Sequence, residues 1–256
     1  MQKFCKKIVI LIIFILLGFT SIAKAEVDVA IIGAMDCEID YIKMQLNHPK
    51  ITTKRNLVIY KGNIGKNKVV LTKSGIGKVN SATTTQFLID TYKPKMIINI
   101  GVAGGLNKDL KVGDVVVASD LVQFDFDLTH FGYPKGTIYH HEGEPTVTTF
   151  KPHETYVNKI SNNFENMYIG RIASGDEFVA NSDRKEEIYN NFSAMAVEME
   201  GAAIAHCAEL NNIPVVVLRV ISDVSNNESN EYKQYKQSMG LYCSKIIIEF
   251  LQHEKI

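Results

Sequence analysis

The chain has 256 residues, 46% hydrophobic and 22% charged, an ordinary globular composition at a length that suits one large domain with a substantial core. Lys and Arg balance Asp and Glu at 28 each, and neither sign gathers into a long block. That argues against nucleic acid or an acidic membrane as partner and for a small molecule or another protein.

The amino terminus carries Lys3, Lys6 and Lys7, then an almost unbroken apolar run from Ile8 to Phe19, then Ala23-Lys24-Ala25, the small-x-small pattern of a signal peptidase site. The stretch between Lys7 and Lys24 is shorter than the ~20 residues that span a bilayer as a helix. The expectation is a cleaved leader of residues 1–25, an exported, periplasmic mature chain of residues 26–256, and no stable membrane insertion after cleavage. No Cys stands at the cleavage point, which disfavours a lipid-attached form. Cys37, Cys207 and Cys243 are too few for a disulfide framework. No Cys-x-x-Cys or clustered His/Cys pattern suggests zinc, His140-His141 reads as loop polarity, and no metal is expected.

Val27 to Met35 reads as a strand running into a helix from Asp36 to Leu46, with Ile39, Ile42 and Leu46 at helical spacing. Leu57 to Tyr60 and Lys68 to Thr72 read as strands around a Gly62-Asn63 turn, and the Gly75/Gly77 loop opens a helix that Pro94 ends. Met96 to Ile100 and Val112 to Ser119 follow as strands. A long polar and aromatic stretch, Asp120 to Lys151, suggests a functional or interface loop. Then come a helix from Glu154 to Phe164, strands at Tyr168 to Ala173 and Ala194 to Met199, a small-residue helix from Ala202 to Leu210, a core strand at Val215 to Ile221 and a closing amphipathic helix from Tyr242 to Gln252. The alternation predicts a single α/β domain with a central mixed, mainly parallel β-sheet flanked by helices.

Glycine loops after strands most often only permit tight turns. Neither a Walker A motif nor a GxGxxG fingerprint is present. The carboxylates say more. Glu38 falls just after the first strand, Glu198 and Glu200 straddle the end of another, and Asp223 follows the last core strand, so these acids converge on the carboxyl ends of strands. Glu198 and Glu200 share strand parity and are expected on one face, one of them catalytic or sugar-binding and the other structural. Such acids suit cleavage of a bond that breaks with positive charge developing on a sugar, one protonating the leaving group and another deprotonating water, without a cofactor.

Ala30-Ile31-Ile32-Gly33-Ala34-Met35-Asp36-Cys37-Glu38, Lys73-Ser74-Gly75-Ile76-Gly77-Lys78-Val79, Ile97-Ile98-Asn99-Ile100-Gly101-Val102-Ala103-Gly104-Gly105-Leu106, Ser174-Gly175-Asp176-Glu177-Phe178, Ala196-Val197-Glu198-Met199-Glu200 and Ile221-Ser222-Asp223-Val224 occur in this order. Together they resemble the bacterial 5'-methylthioadenosine/S-adenosylhomocysteine nucleosidases over essentially the whole mature chain. The resemblance implies a nucleoside phosphorylase-like fold and cofactor-free hydrolysis of the N-glycosidic bond, releasing adenine. 5'-Deoxyadenosine and 6-amino-6-deoxyfutalosine are further implied substrates.

Residue by residue, the resemblance makes Asp223 the acid that protonates adenine N7, with Ser222 placing it, and Glu38 the carboxylate that activates water. Glu200 would hold the ribose hydroxyls, Met199 would pack on the sugar, and Arg219 would orient Glu200 or the water. Phe178 would stack on adenine, the Val179 backbone would read its Watson–Crick edge, Met35 would line the ribose and 5' side, and Gly104 would border the substrate. The 5' pocket would take an aromatic from the carboxyl-terminal segment, either Tyr232 or Tyr235. The resemblance also implies a homodimer, with Phe131 of the long loop reaching into the partner's 5' pocket.

Three departures stand out. Asp36-Cys37-Glu38 replaces a frequent Glu-Glu-Glu, keeping the third, catalytic position; Val102 stands where a serine is common; and a leader precedes a family that usually acts in the cytoplasm. A phosphorolytic nucleoside phosphorylase is the enzymatic alternative, disfavoured because an acid at Glu38 would repel phosphate. A periplasmic nucleoside-binding protein is the non-enzymatic one.

Overall fold

The computed structural model describes residues 27–138, 146–164, 166–224 and 228–256; the expected leader and His140-His141 lie outside them. Strand β1 (Val29–Gly33) is buried at every position, as its Val-Ala-Ile-Ile run requires of a strand covered on both faces. It pairs in parallel with β4 (Asn67–Lys73) on one side and β5 (Met96–Gly105) on the other. Outside β4 lie β3 (Leu57–Ile64) and the edge strand β2 (Asn47–Lys54), both antiparallel.

The expected Gly62-Asn63 turn is instead part of β3, where Gly62 pairs with Val69, and the chain turns at Gly65 and Lys66. Gly62 is there for close approach: a Cβ on it would lie 2.9 Å from the Asn47 carbonyl of β2. The link from β2 to β3 passes through Arg55 and Asn56, both at positive φ (49° and 63°), the backbone of a tight hairpin.

The second half of the sheet closes on itself. Strand β9 (Val215–Asp223) runs parallel to β5 and antiparallel to β6 (Val115–Gln123); β6 pairs with β7 (Met167–Ser174), β7 with β8 (Ala196–Glu198), and β8 returns to the end of β5. Of the pairings, five are parallel and four antiparallel, so the sheet is mixed, as expected.

Helices cover both faces. α1 (Asp36–Gln45), α3 (Glu154–Asn163) and α6 (Glu228–His253) bury Ile39, Ile42, Val157, Ile160, Ile247 and Leu251 against one face. α2 (Lys78–Tyr92) and α5 (Gly201–Leu210) bury Phe87, Leu88, Ile204 and Ala208 against the other. α4 (Ser182–Phe192) packs Ile188 and Phe192 on Phe124 and Val179. The sequence reading contained neither β2 nor α4, and it began α6 a dozen or so residues late. Among the described residues no helix is long and apolar enough to cross a membrane.

Candidate active site

The ends of β1, β4, β5, β7, β8 and β9 surround a pocket with about 550 Å³ of empty space, its mouth included. Met35, Glu38, Ile76, Val102, Gly104, Phe178, Val179, Met199, Glu200, Ser222, Asp223 and Tyr232 are among its lining residues.

Glu38 is the third residue of α1 and turns back on the helix start. Its Oε2 accepts the amides of Ala34 at 2.7 Å and Met35 at 2.9 Å, half of a capping box, while Oε1 accepts the Val102 amide at 3.1 Å. The side chain is buried. Burial pushes its carboxyl above the usual range, opposed by the Arg219 charge and by the backbone donors of Met35, Val102 and Ala34. Gly101 is what lets these groups meet: a Cβ there would stand 2.7 Å from Glu38 Oε1 and 3.3 Å from Arg219 Cζ. The Val102 contact uses the backbone, so the change from serine leaves it intact.

Glu198 and Glu200 both line the pocket, but not as alternate residues of one strand. The strand ends at Glu198, and Glu200 is the N-cap of α5, with φ −134° and ψ −39°. Glu198 accepts Arg219 and the Ser174 hydroxyl, together with the amides of Glu200 (3.0 Å) and Gly201 (2.8 Å), which makes it the anion at a helix amino terminus. Glu200 points into the pocket and accepts the Gly77 amide at 2.8 Å. Burial, then the neighbouring Glu198 charge, raises the Glu200 carboxyl.

Arg219, expected to orient Glu200 or the water, acts on Glu200 through its charge and makes its hydrogen bonds elsewhere. Its guanidinium goes to Glu198, to Asn99 Oδ1 at 2.6 Å and to the Leu218 carbonyl at 3.0 Å, leaving Nε buried without a protein partner.

At the opposite end, Asp223 closes β9. Its Oδ1 accepts the Ser222 hydroxyl at 2.6 Å, and its Oδ2 lies 3.4 Å from Lys185 Nζ of α4. Lys185 is buried and was invisible to sequence reasoning, because the helix that carries it was. Phe178 is 47% exposed at the mouth, its ring 5.1 Å from that of Tyr232. The Tyr232 hydroxyl is 3.2 Å from the Met35 sulfur, and burial first pushes its phenol up to about 12. Of the two candidate tyrosines, Tyr232 lines the pocket and Tyr235 is not among the lining residues. Phe131, in a short turn at Thr129–Phe131, is 73% exposed and away from the pocket of its own chain.

The family model of the phosphorylase superfamily matches residues 28–252, which span this sheet and the acids at its strand ends. The chain belongs to that superfamily. A 5'-methylthioadenosine/S-adenosylhomocysteine nucleosidase of Staphylococcus haemolyticus is 39% identical over 203 residues, 78% of this chain and 88% of that one. The Streptococcus pneumoniae nucleosidase of the same name, solved with a transition-state inhibitor, superposes with a TM-score of 0.82 at 35% identity, over 88% of this chain and 98% of its own. Futalosine hydrolase of Helicobacter pylori gives 0.83 at 30% identity, over 89% and 98%. Within the superfamily, this chain belongs to the 5'-methylthioadenosine/S-adenosylhomocysteine nucleosidase family.

Proposed function

We propose that this protein hydrolyses the N-glycosidic bond of 5'-methylthioadenosine and S-adenosylhomocysteine, with Asp223 as the acid on the base and Glu38 as the base on water. The observation that carries hydrolysis over phosphorolysis is the pocket lining. Glu38, Glu177, Glu198, Glu200 and Asp223 all contribute, and no Lys or Arg does among the described lining residues. A phosphate nucleophile needs several cationic donors; here the lining offers it carboxylates, and the Arg219 guanidinium behind them has both terminal nitrogens committed to Glu198, Asn99 and the Leu218 carbonyl.

In this reading Asp223 gives its proton to N7 of adenine, and the bond from N9 to C1' breaks as positive charge develops on the ribose. Glu200 accepts the ribose hydroxyls and stabilises that charge. Glu38 takes a proton from water as the hydroxide joins C1', and Arg219 Nε is the buried donor left to hold that water. Adenine leaves with the proton from Asp223, the sugar gains OH, and Glu38 and Asp223 exchange their proton difference through solvent. Phe178 stacks on the base, the Val179 backbone reads its edge, and Met199 and Met35 pack on the sugar. 5'-Deoxyadenosine and 6-amino-6-deoxyfutalosine present the same reacting bond and are substrates in the same reading.

Two further proposals belong here. The protein works as a homodimer in which Phe131 enters the partner's 5' pocket. Exposed Val79 and Leu210, which line one groove between α2 and α5, support an apolar interface. Residues 1–25 direct export to the periplasm and are removed after Ala25.

Incubating purified protein with 5'-methylthioadenosine in phosphate-free buffer is the test. Adenine and free 5-methylthioribose are the expected products; activity that appears only with phosphate and yields a sugar phosphate refutes hydrolysis.

A further inference from the structure

On the reading above, the base sits between Phe178 and Asp223 and the ribose at Glu200 and Glu38. The substituent on C5' then leaves along the remaining wall, Met35, Ile76 and Tyr232. A cation stands beside that wall. One turn beyond Tyr232 on α6, Lys236 places its Nζ 5.2 Å from the centre of the Tyr232 ring, the same ring whose hydroxyl touches Met35. The Lys236 charge is also felt at Cys37, at the start of α1, where it opposes the rise of the thiol pKa to about 11 that burial and Glu38 produce. Lys236 thus stands beside Tyr232, where α1 and α6 meet.

The carboxylates on that side of α1 are already engaged. Asp36 bonds Lys73 at 2.6 Å and Asp40 bonds Lys43 at 2.7 Å. Lys236 itself is in no ion pair among the described residues, and its side chain is half-buried. Inside, the pocket wall is lined by acids, which repel an anionic substituent. The Lys236 ammonium beside the Tyr232 ring is a countercharge for such a substituent.

We propose that Lys236 is a specificity-determining residue that favours 5'-thioadenosines whose 5' arm passes Tyr232 and ends in a carboxylate over those with a neutral arm. The inference rests on the nucleosidase reading and deepens it by naming the substrate class. Because a partly exposed pair is screened by solvent and salt, the preference is modest, about fivefold to tenfold.

The experiment compares kcat/KM for 5'-(3-carboxypropyl)thioadenosine and its neutral carboxamide isostere, with 5'-methylthioadenosine as reference. The native protein is expected to prefer the carboxylate about fivefold, and Lys236→Met to bring the ratio to about one while the carboxamide is cleaved at the native rate. Lys236→Arg should keep the preference and Lys236→Glu should invert it. An unchanged ratio in Lys236→Met, or an equal loss on both substrates, overturns the inference. So does a native protein that cleaves 5'-methylthioadenosine and shows no preference between the pair. Absence of adenine release from all three substrates instead refutes the nucleosidase reading beneath it.

Discussion

The two ends of the pocket hold their acids by different means. At the sugar end Glu38 is gripped by three backbone amides, those of Ala34, Met35 and Val102. At the base end Asp223 is held by two side chains, the Ser222 hydroxyl and the Lys185 ammonium. Amides are donors that can neither rotate away nor accept a proton, so they favour a buried carboxylate that rests in its ionised form. A hydroxyl can donate or accept, so Ser222 can partner Asp223 in either protonation state.

Breaking the sugar end should have the largest effect. Glu38→Gln keeps the shape but not the base, and is expected to lower kcat about 10³-fold with KM within a few-fold. The base must be ionised, and burial raises its carboxyl above the ordinary 4.5. The acid limb of the native kcat/KM profile should therefore fall away above pH 4.5; a limb at or below that value would contradict the burial argument.

Next in size is the neighbouring pair of glutamates. Glu198→Ala leaves the fully buried Arg219 without its countercharge, a change that costs about 3–5 kcal/mol of stability. Glu200→Ala frees a single amide, that of Gly77, and should cost less than about 2 kcal/mol while abolishing most turnover. Urea unfolding of both variants would separate the structural acid from the functional one.

At the base end, Lys185→Met is expected to reduce kcat about tenfold, the effect of one lost charge contact on the acid, with little change in KM. Lys185→Arg should recover part of it, as a loss of packing alone would not.

The smallest change lies far from the site. Burial acts to raise Asp28, but Lys255, Lys95 and the Lys68 amide overcome it and hold the carboxyl down to about 2. A folded-state value below the unfolded 3.8 contributes stability that is full above about pH 5 and is lost as pH falls through 2. Asp28→Asn should cost about 1 kcal/mol at pH 7, and the gap in Tm from the native protein should narrow by pH 2.5.

What could be read in advance follows the same physics. β1, β5 and β9 announce themselves because both faces are buried and the runs are unbroken. β2 is exposed at every residue and held by backbone pairing, which leaves no hydrophobic pattern to find. α4 buries only Lys185, Ile188 and Phe192; its best signal was Asn181, whose side chain caps the amides of Asp183 and Arg184. Glu38, Glu200 and Asp223 were legible as acids after strands. The partner of Arg219 was not, because strand parity assumes a strand that continues, and this one stops between Glu198 and Glu200.

The central claim, a separate acid on the base and a separate base on water, is tested most directly with a substrate whose leaving group needs no proton. A 4-nitrophenyl 5-methylthioriboside should be hydrolysed by Asp223→Asn at close to the native rate, although that variant loses about 10³-fold on 5'-methylthioadenosine, while Glu38→Gln should fail on both. Equal losses for the two variants on the nitrophenyl substrate would contradict the account.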